Sequence, residues 1–565
     1  MNQENTRILK GDICYSIDKN TLITVEDGYL VCENGTSSGV FPRLPEMYAG
    51  LPVEDYSGKL ITPGLTDLHM HAPQYAFRGF KMDLELLDWL NSSAFPEEAR
   101  YEDPDYARDA YSIFVQDLKK SVNTRACLFA TLHLPATRIL MDLLEESGME
   151  TFVGKVNMDR NCPDYLRETD GDASADATIA WLEETAGAYS HVRPILTPRF
   201  IPACSDRLME RLADIQRAWH LPLQSHLSEN PEEIAWVQEL APQSRFYGDA
   251  YDRFGLFGGE VPTIMAHCVH CPPEEVELMK ERGVYIAHCP QSNANLTSGA
   301  APVRRFLDQD MRVGLGSDIA GGTVLSIFRA MAEAIQTSKL RARLTGDGLK
   351  PITMEEAFFM GTKGGGSFFG KVGSFEEGYE ADAIVLDESR IPPPEAHSKG
   401  AAGAVPLPVR RRLGASQIRE RAPAVLNRRR KLSAVFLCQT AALLLQPLLA
   451  LSALLRHAIQ LLQDLKKLSS QPFHPIPGIL NPGQRHPVKY NPVKEIIGKP
   501  ETGTGIYPFH GRRRSYIRQL CAEPAEQYLQ PFDPGLGVVH PLVFDQIAHQ
   551  TAAYHVVNSP ALRAV

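Results

Sequence analysis

A chain of 565 residues is long enough for a large core and for two to four domains of about 100–200 residues each. With 44% hydrophobic and 22% charged residues it has the composition of an ordinary soluble protein, and a formal charge of −10 excludes an overall basic surface for nucleic acid. The ten cysteines are scattered. Only Cys268 and Cys271 have metal-like or redox-like spacing, and with no second pair nearby they read as thiols of a reducing cytosol.

Taken in chain order, Met1 to Lys10 has no apolar run that would make a secretory or transit segment, so a cytoplasmic protein is expected. From Ile8 to Ile61 short apolar runs (Ile13–Ile17, Leu22–Val25, Tyr29–Val31) alternate with turn clusters, predicting a small β-rich unit. After Pro63-Gly64 the pattern changes. Strands such as Thr151–Val156, Arg193–Leu196, Thr263–Ala266, Val284–Ala287 and Val313–Leu315 alternate with helices such as Pro104–Lys120 and Pro231–Leu240. Strand-then-helix repetition from Thr62 to Phe369 predicts a (β/α)8 barrel. Gly364-Gly365-Gly366 lacks the Lys-Ser/Thr of a phosphate loop and reads as a turn or packing site. A strand at Ala381–Leu386 then returns to the first unit, so residues 1–61 and 370–390 together predict a small β-sandwich domain.

Residues 391–565 differ in kind. They carry 22 Lys and Arg against 9 Asp and Glu, and 20 of the 41 prolines, leaving residues 1–390 at −23. Such a shift marks a foreign or disordered segment. Leu432–Leu455 is long enough to span a membrane, but Gln439, Gln446 and Pro447 interrupt it and no membrane span is expected.

The chemistry-bearing residues fall at strand ends. His69 and His71 stand at i and i+2 where the first barrel strand should finish, so both imidazoles face one side. His226, His267, His288 and Asp318 each close a later apolar strand. In a (β/α)8 barrel such positions converge on one mouth although they lie some 250 residues apart. Imidazoles and a carboxylate without thiolate suit a catalytic zinc with an open position, and could also hold iron or another divalent ion. His288, beside Cys289-Pro290, is expected to fix its loop by hydrogen bonding, and Trp89 and Phe95 to be core.

His69-Met70-His71-Ala72-Pro73-Gln74-Tyr75-Ala76-Phe77, Thr197-Pro198-Arg199-Phe200, Gln224 to Asn230, Ala287-His288-Cys289-Pro290 and Gly314 to Gly322 together resemble the guanine deaminases of the metal-dependent amidohydrolase superfamily, across about residues 8–390. The resemblance implies one Zn2+ per subunit on His69, His71, His226 and Asp318, with His267 contacting substrate or the attacking water. His270 is the neighbouring alternative to His267. It also implies Asp318 and Glu229 as acid–base residues, guanine bound by Gln74, Arg199, Phe200, Glu229, His267 and Asp318, and a homodimer. The donor fork of Arg199 suits a keto oxygen where adenine has an amino group, and Gln74 can donate and accept. Attack of a zinc-activated hydroxide on C2 would give xanthine and ammonia.

Past Ile391-Pro392 the resemblance stops. A one-base shift in the reading frame near codon 393 explains the break, since Glu395 to Arg419 read one base later can spell a helix and a strand of the expected kind. Three other readings compete. One is a related enzyme deaminating another amino-heterocycle, and a second is a non-catalytic scaffold of the same lineage. The third gives the tail a role, with Arg410-Arg411-Arg412 and Arg512-Arg513-Arg514 binding nucleic acid or anionic lipid.

Overall fold

The computed structural model describes residues 6–387. The tail 391–565, its Leu432–Leu455 run and its arginine triplets lie outside the described residues. Among the described residues no helix is long and apolar enough to cross a membrane. The fold is mixed α/β.

The first four strands, β1 (Thr6–Ser16), β2 (Leu22–Glu33), β3 (Thr36–Phe41) and β4 (Glu54–Pro63), precede the parallel part. There follow β5 (Leu65–His71), β6 (Asn123–Phe129), β7 (Glu150–Gly154), β8 (Val156–Asn157), β9 (Val192–Pro194) and β10 (Thr197–Pro198). Then come β11 (Leu223–Leu227), β12 (Thr263–His267), β13 (Tyr285–His288), β14 (Arg312–Leu315) and finally β15 (Ala383–Leu386). The predicted helices Pro104–Lys120 and Pro231–Leu240 form with those bounds. Asp103 caps the first by accepting from the Asp105 amide at 2.9 Å. Asn230 and Glu233 make a capping box around Pro231 at the start of the second.

The small unit is one five-stranded sheet, in the order β15-β4-β1-β2-β3, where a two-sheet sandwich was expected. Its alternating residues explain this. Leu9, Ile13, Leu30 and Ile61 pack with Phe375 on one face, while Ile8 and Val31 pack with Tyr48 in another cluster. Segments entering and leaving the sheet thus do the work of a second sheet. Its return strand is anchored by the buried Arg125 on β6, which reaches Asp382 at 2.8 Å and Glu380 at 2.6 Å.

The parallel strands form two four-stranded sheets, β5-β6-β7-β9 and β11-β12-β13-β14, with β8 and β10 paired beside them. The sheets meet on both sides. Leu196 bridges Leu223 on one side; on the other the Asp318 amide donates to the His69 carbonyl and the His71 amide to the Ile319 carbonyl, each at 2.9 Å. The Gly364 region packs against this structure as expected. A Cβ on Gly314 of β14 would lie 2.8 Å from the Gly365 Cα, and one on Gly364 would lie 2.7 Å from the Val313 carbonyl.

Candidate active site

Four strand ends carry the imidazoles, and the backbone there is unusual. β5 slips by one residue against β6 between Asp67 and Met70, a bulge that re-aims the side chains around His69. Ser228, His267, Cys268 and Asp318 all adopt left-handed backbone conformations, with φ of 47°, 73°, 49° and 46°. Such conformations are costly for non-glycine residues and gather where function over-determines the chain. Two glycines make room: a Cβ on Gly316 would lie 2.9 Å from the His69 Cβ, and one on Gly321 would lie 2.4 Å from Ser292 Oγ.

The side chains converge as the strand-end positions predict. Asp318 Oδ1 lies 3.2 Å from His69 Nε2 and 3.6 Å from His71 Nε2, and the Nε2 atoms of His71 and His226 are 3.1 Å apart. His267 Nε2 lies 3.4 Å from Glu229 Oε2 and 3.8 Å from Asp318 Oδ2. Two overlapping sets, His69 with His71 and Asp318 and His69 with His226 and His267, have ligand atoms close enough to share a cation. His226 turns Nε2 inward because its Nδ1 is bonded to the Arg199 carbonyl at 2.6 Å. Asn293 holds His267 Nδ1 in the same way at 2.8 Å. His270 instead bonds the Ser298 carbonyl at 2.7 Å.

The electrostatics favour a cation. Burial lowers the pKa of His69 and, helped by neighbouring imidazoles, takes His71 and His226 well below the usual value, so their nitrogens keep free lone pairs. Burial alone would raise Asp318, but His69, His267 and His71 hold it well below the carboxylate range. Both ring nitrogens of His69 are buried without a hydrogen-bond partner among the described residues. A neutral imidazole set with an ionised carboxylate and such orphaned nitrogens fits a divalent metal.

Next to this cluster, burial pushes Glu229 up to about 7. Its carboxylate accepts from Ser298 Oγ at 2.9 Å, and its amide donates to Glu233 Oε2 at 3.2 Å. His267 is raised as well, but by charge and not by burial. Desolvation would lower it, but Glu229 and Asp318 raise it. His288 requires a correction: among the described residues neither ring nitrogen has a hydrogen-bond partner, and burial takes it down to about 3. Its backbone carbonyl accepts from the Gly316 amide at 2.9 Å, continuing the ladder between β13 and β14.

A cleft opens on these groups. Its lining includes His71, His226, Glu229, His267 and Asp318 together with Gln74, Arg199, Phe200, Trp89, Leu86 and Leu296. Trp89 is therefore both buried, as expected, and part of the cleft. Arg199 is 2% exposed and does not turn to solvent. Both of its terminal nitrogens reach Glu98, at 2.6 and 3.0 Å, and Phe95 lies 5.0 Å beneath its guanidinium carbon. Cys268 and Cys271 are buried free thiols that join neither candidate metal set.

Residues 60–436 match the amidohydrolase family. The chain belongs to that family. Among its relatives, the guanine deaminase of Rattus norvegicus is 40% identical over 331 residues, 58% of this chain and 72% of that protein. The guanine deaminase of Escherichia coli is 33% identical over 406 residues, 67% of this chain and 87% of that one. The fold resembles a crystal structure of guanine deaminase from C. acetobutylicum with bound guanine in the active site. That match has 46% identity and a TM-score of 0.67, and covers 69% of this chain and 92% of the other.

Sequence reasoning missed Glu98, Glu233, Asn293 and Ser298 in this family member's site. Glu98 follows Glu97 in the helix Phe95–Ala99, where acids are ordinary first-turn residues, so only its burial distinguishes it. Glu233 closes a capping box with Asn230, and it also accepts from the Glu229 amide.

Proposed function

We propose that this enzyme hydrolyses guanine to xanthine and ammonia, using one zinc ion per subunit held by His69, His71, His226 and Asp318. One observation carries the reading: Gln74 and Arg199 line the same cleft as His71, His226 and Asp318. The similarity to guanine deaminases, one of them seen with guanine bound, supports it.

A divalent cation in this site supplies a water acidified from a pKa of about 15.7 toward 7. The chain's own residues do the rest. Asp318 takes a proton from the attacking water as its oxygen bonds to C2. Glu229, poised at about 7, gives its proton to the adjacent ring nitrogen, is reloaded with the proton that the C2 hydroxyl loses as the carbonyl forms, and passes that one to the departing amine, after which the proton on Asp318 returns Glu229 to its starting state. The C2–N bond breaks and ammonia leaves. His267, tethered by Asn293, contacts the substrate or the attacking water. Arg199 and Gln74 bind the purine edge, and Phe200 walls the ring.

In the same reading residues 62–369 form a (β/α)8 barrel, supported by the hydrogen bonds on both seams between the two parallel sheets. Residues 1–61 with 370–390 form the small domain. Eight free cysteines among the described residues support a reducing, cytoplasmic setting. The homodimer is carried over from the family resemblance.

Steady-state ammonia release from guanine, compared with cytosine, adenosine and triazine substrates, tests the function. Guanine should be preferred, and Arg199→Ala should lower its kcat/KM by about 100-fold or more. Turnover of another heterocycle in its place, with Arg199→Ala neutral, would reassign the substrate.

A further inference from the structure

We infer that Glu98 is the positioning residue that fixes the donor pattern of the purine-facing wall, and so sets the preference for a ring carbonyl over a ring amine. The inference rests on the proposed deaminase reading and deepens it.

Glu98 is 2% exposed, and among the described residues the side-chain hydrogen bonds of its carboxylate go to the two side chains proposed to read the substrate. Oε2 accepts from Arg199 Nη1 at 2.6 Å, and Oε1 accepts from Arg199 Nη2 at 3.0 Å and Gln74 Nε2 at 2.7 Å. Gln74 is held from its other end too, because its Oε1 accepts from the Ala320 amide at 3.1 Å. Rotating that amide would set its oxygen against the carboxylate and its nitrogen against an N–H, losing both bonds. The amide is therefore locked.

The guanidinium is locked by the same group. Two of its five N–H donors are committed to Glu98, and the carboxylate offsets its charge in a buried setting. The donors left over meet a carbonyl favourably, whereas an amino group at that place would set N–H against N–H. Glu98 does not line the cleft and is not a catalytic residue. It acts through Arg199 and Gln74.

The test compares guanine with 2,6-diaminopurine, which keeps the reacting 2-amino group and carries an amine in place of the keto oxygen. In Glu98→Gln the KM for guanine should rise by about tenfold or more while kcat changes little. The ratio of kcat/KM for guanine over 2,6-diaminopurine should fall by a similar factor. Glu98→Asp, which keeps the charge but withdraws it by one methylene, should move the ratio the same way and carries the test if the Gln variant does not fold. A ratio unmoved in the folded variants, or a uniform loss of kcat on both substrates, overturns the inference. Wild-type protein inactive on guanine fails the function itself, a result visible before any variant is made.

Discussion

At the scale of the residue, Glu229 has the sharpest consequence. Its carboxyl is buried against His267, and burial moves it to about 7, where half of it is protonated at neutral pH. A proton donor works only in its protonated form, so kcat/KM should fall as pH rises through about 7. Glu229→Gln should lower activity by about 10²–10⁴-fold and abolish that alkaline limb. A pH profile of the variant that keeps the wild-type limb at reduced height would assign the titration to another group. The partners of Glu229 support the role. Ser298 holds one oxygen, and Glu233, itself bonded to Tyr247 at 2.8 Å, holds the backbone.

At the scale of the element, the strand ends set the geometry of the candidate metal site. Gly316, one residue beyond β14, passes so close to β5 that a methyl group would press on the His69 Cβ at 2.9 Å and on Cys289 Sγ at 2.8 Å. The His69 Cβ is fixed to its backbone and cannot swing aside. Gly316→Ala should therefore displace His69 and weaken metal binding by about 10–100-fold, the usual effect of disturbing the support of a ligand. Competition with a chelator measures this, and an unchanged affinity would show that β5 can yield. How much of this was visible beforehand differs by element. The helices at Pro104 and Pro231 were legible to their end residues because caps and N1 prolines mark them locally. The β5 bulge was not, because it is defined only by its register against a strand more than 50 residues away.

At the scale of the whole molecule, the site ties β5, β11, β12 and the segment after β14 together through one cluster of four imidazoles and a carboxylate. A cation bound only by the folded chain stabilises it in proportion to the logarithm of its concentration over its dissociation constant. Removing the metal should therefore lower the melting midpoint and abolish ammonia release together, and added Zn2+ should restore both. Retention of full activity after verified metal removal would rule out the metal-dependent chemistry.

Histidines and an aspartate closing apolar strands were legible in the residues alone, as were the strand ends that carry them. Alternation and turn residues are local properties, and a histidine closing an apolar run is visible without any partner. Only the tertiary structure decided what those residues lean on. Glu98 meets an arginine 101 positions away, and Asn293 orients His267 across 26 positions. The ring of His288, which looked ready to tie its loop, has no hydrogen-bond partner among the described residues. Such pairings depend on which segments packing brings together, and no local pattern of residue types encodes that distance.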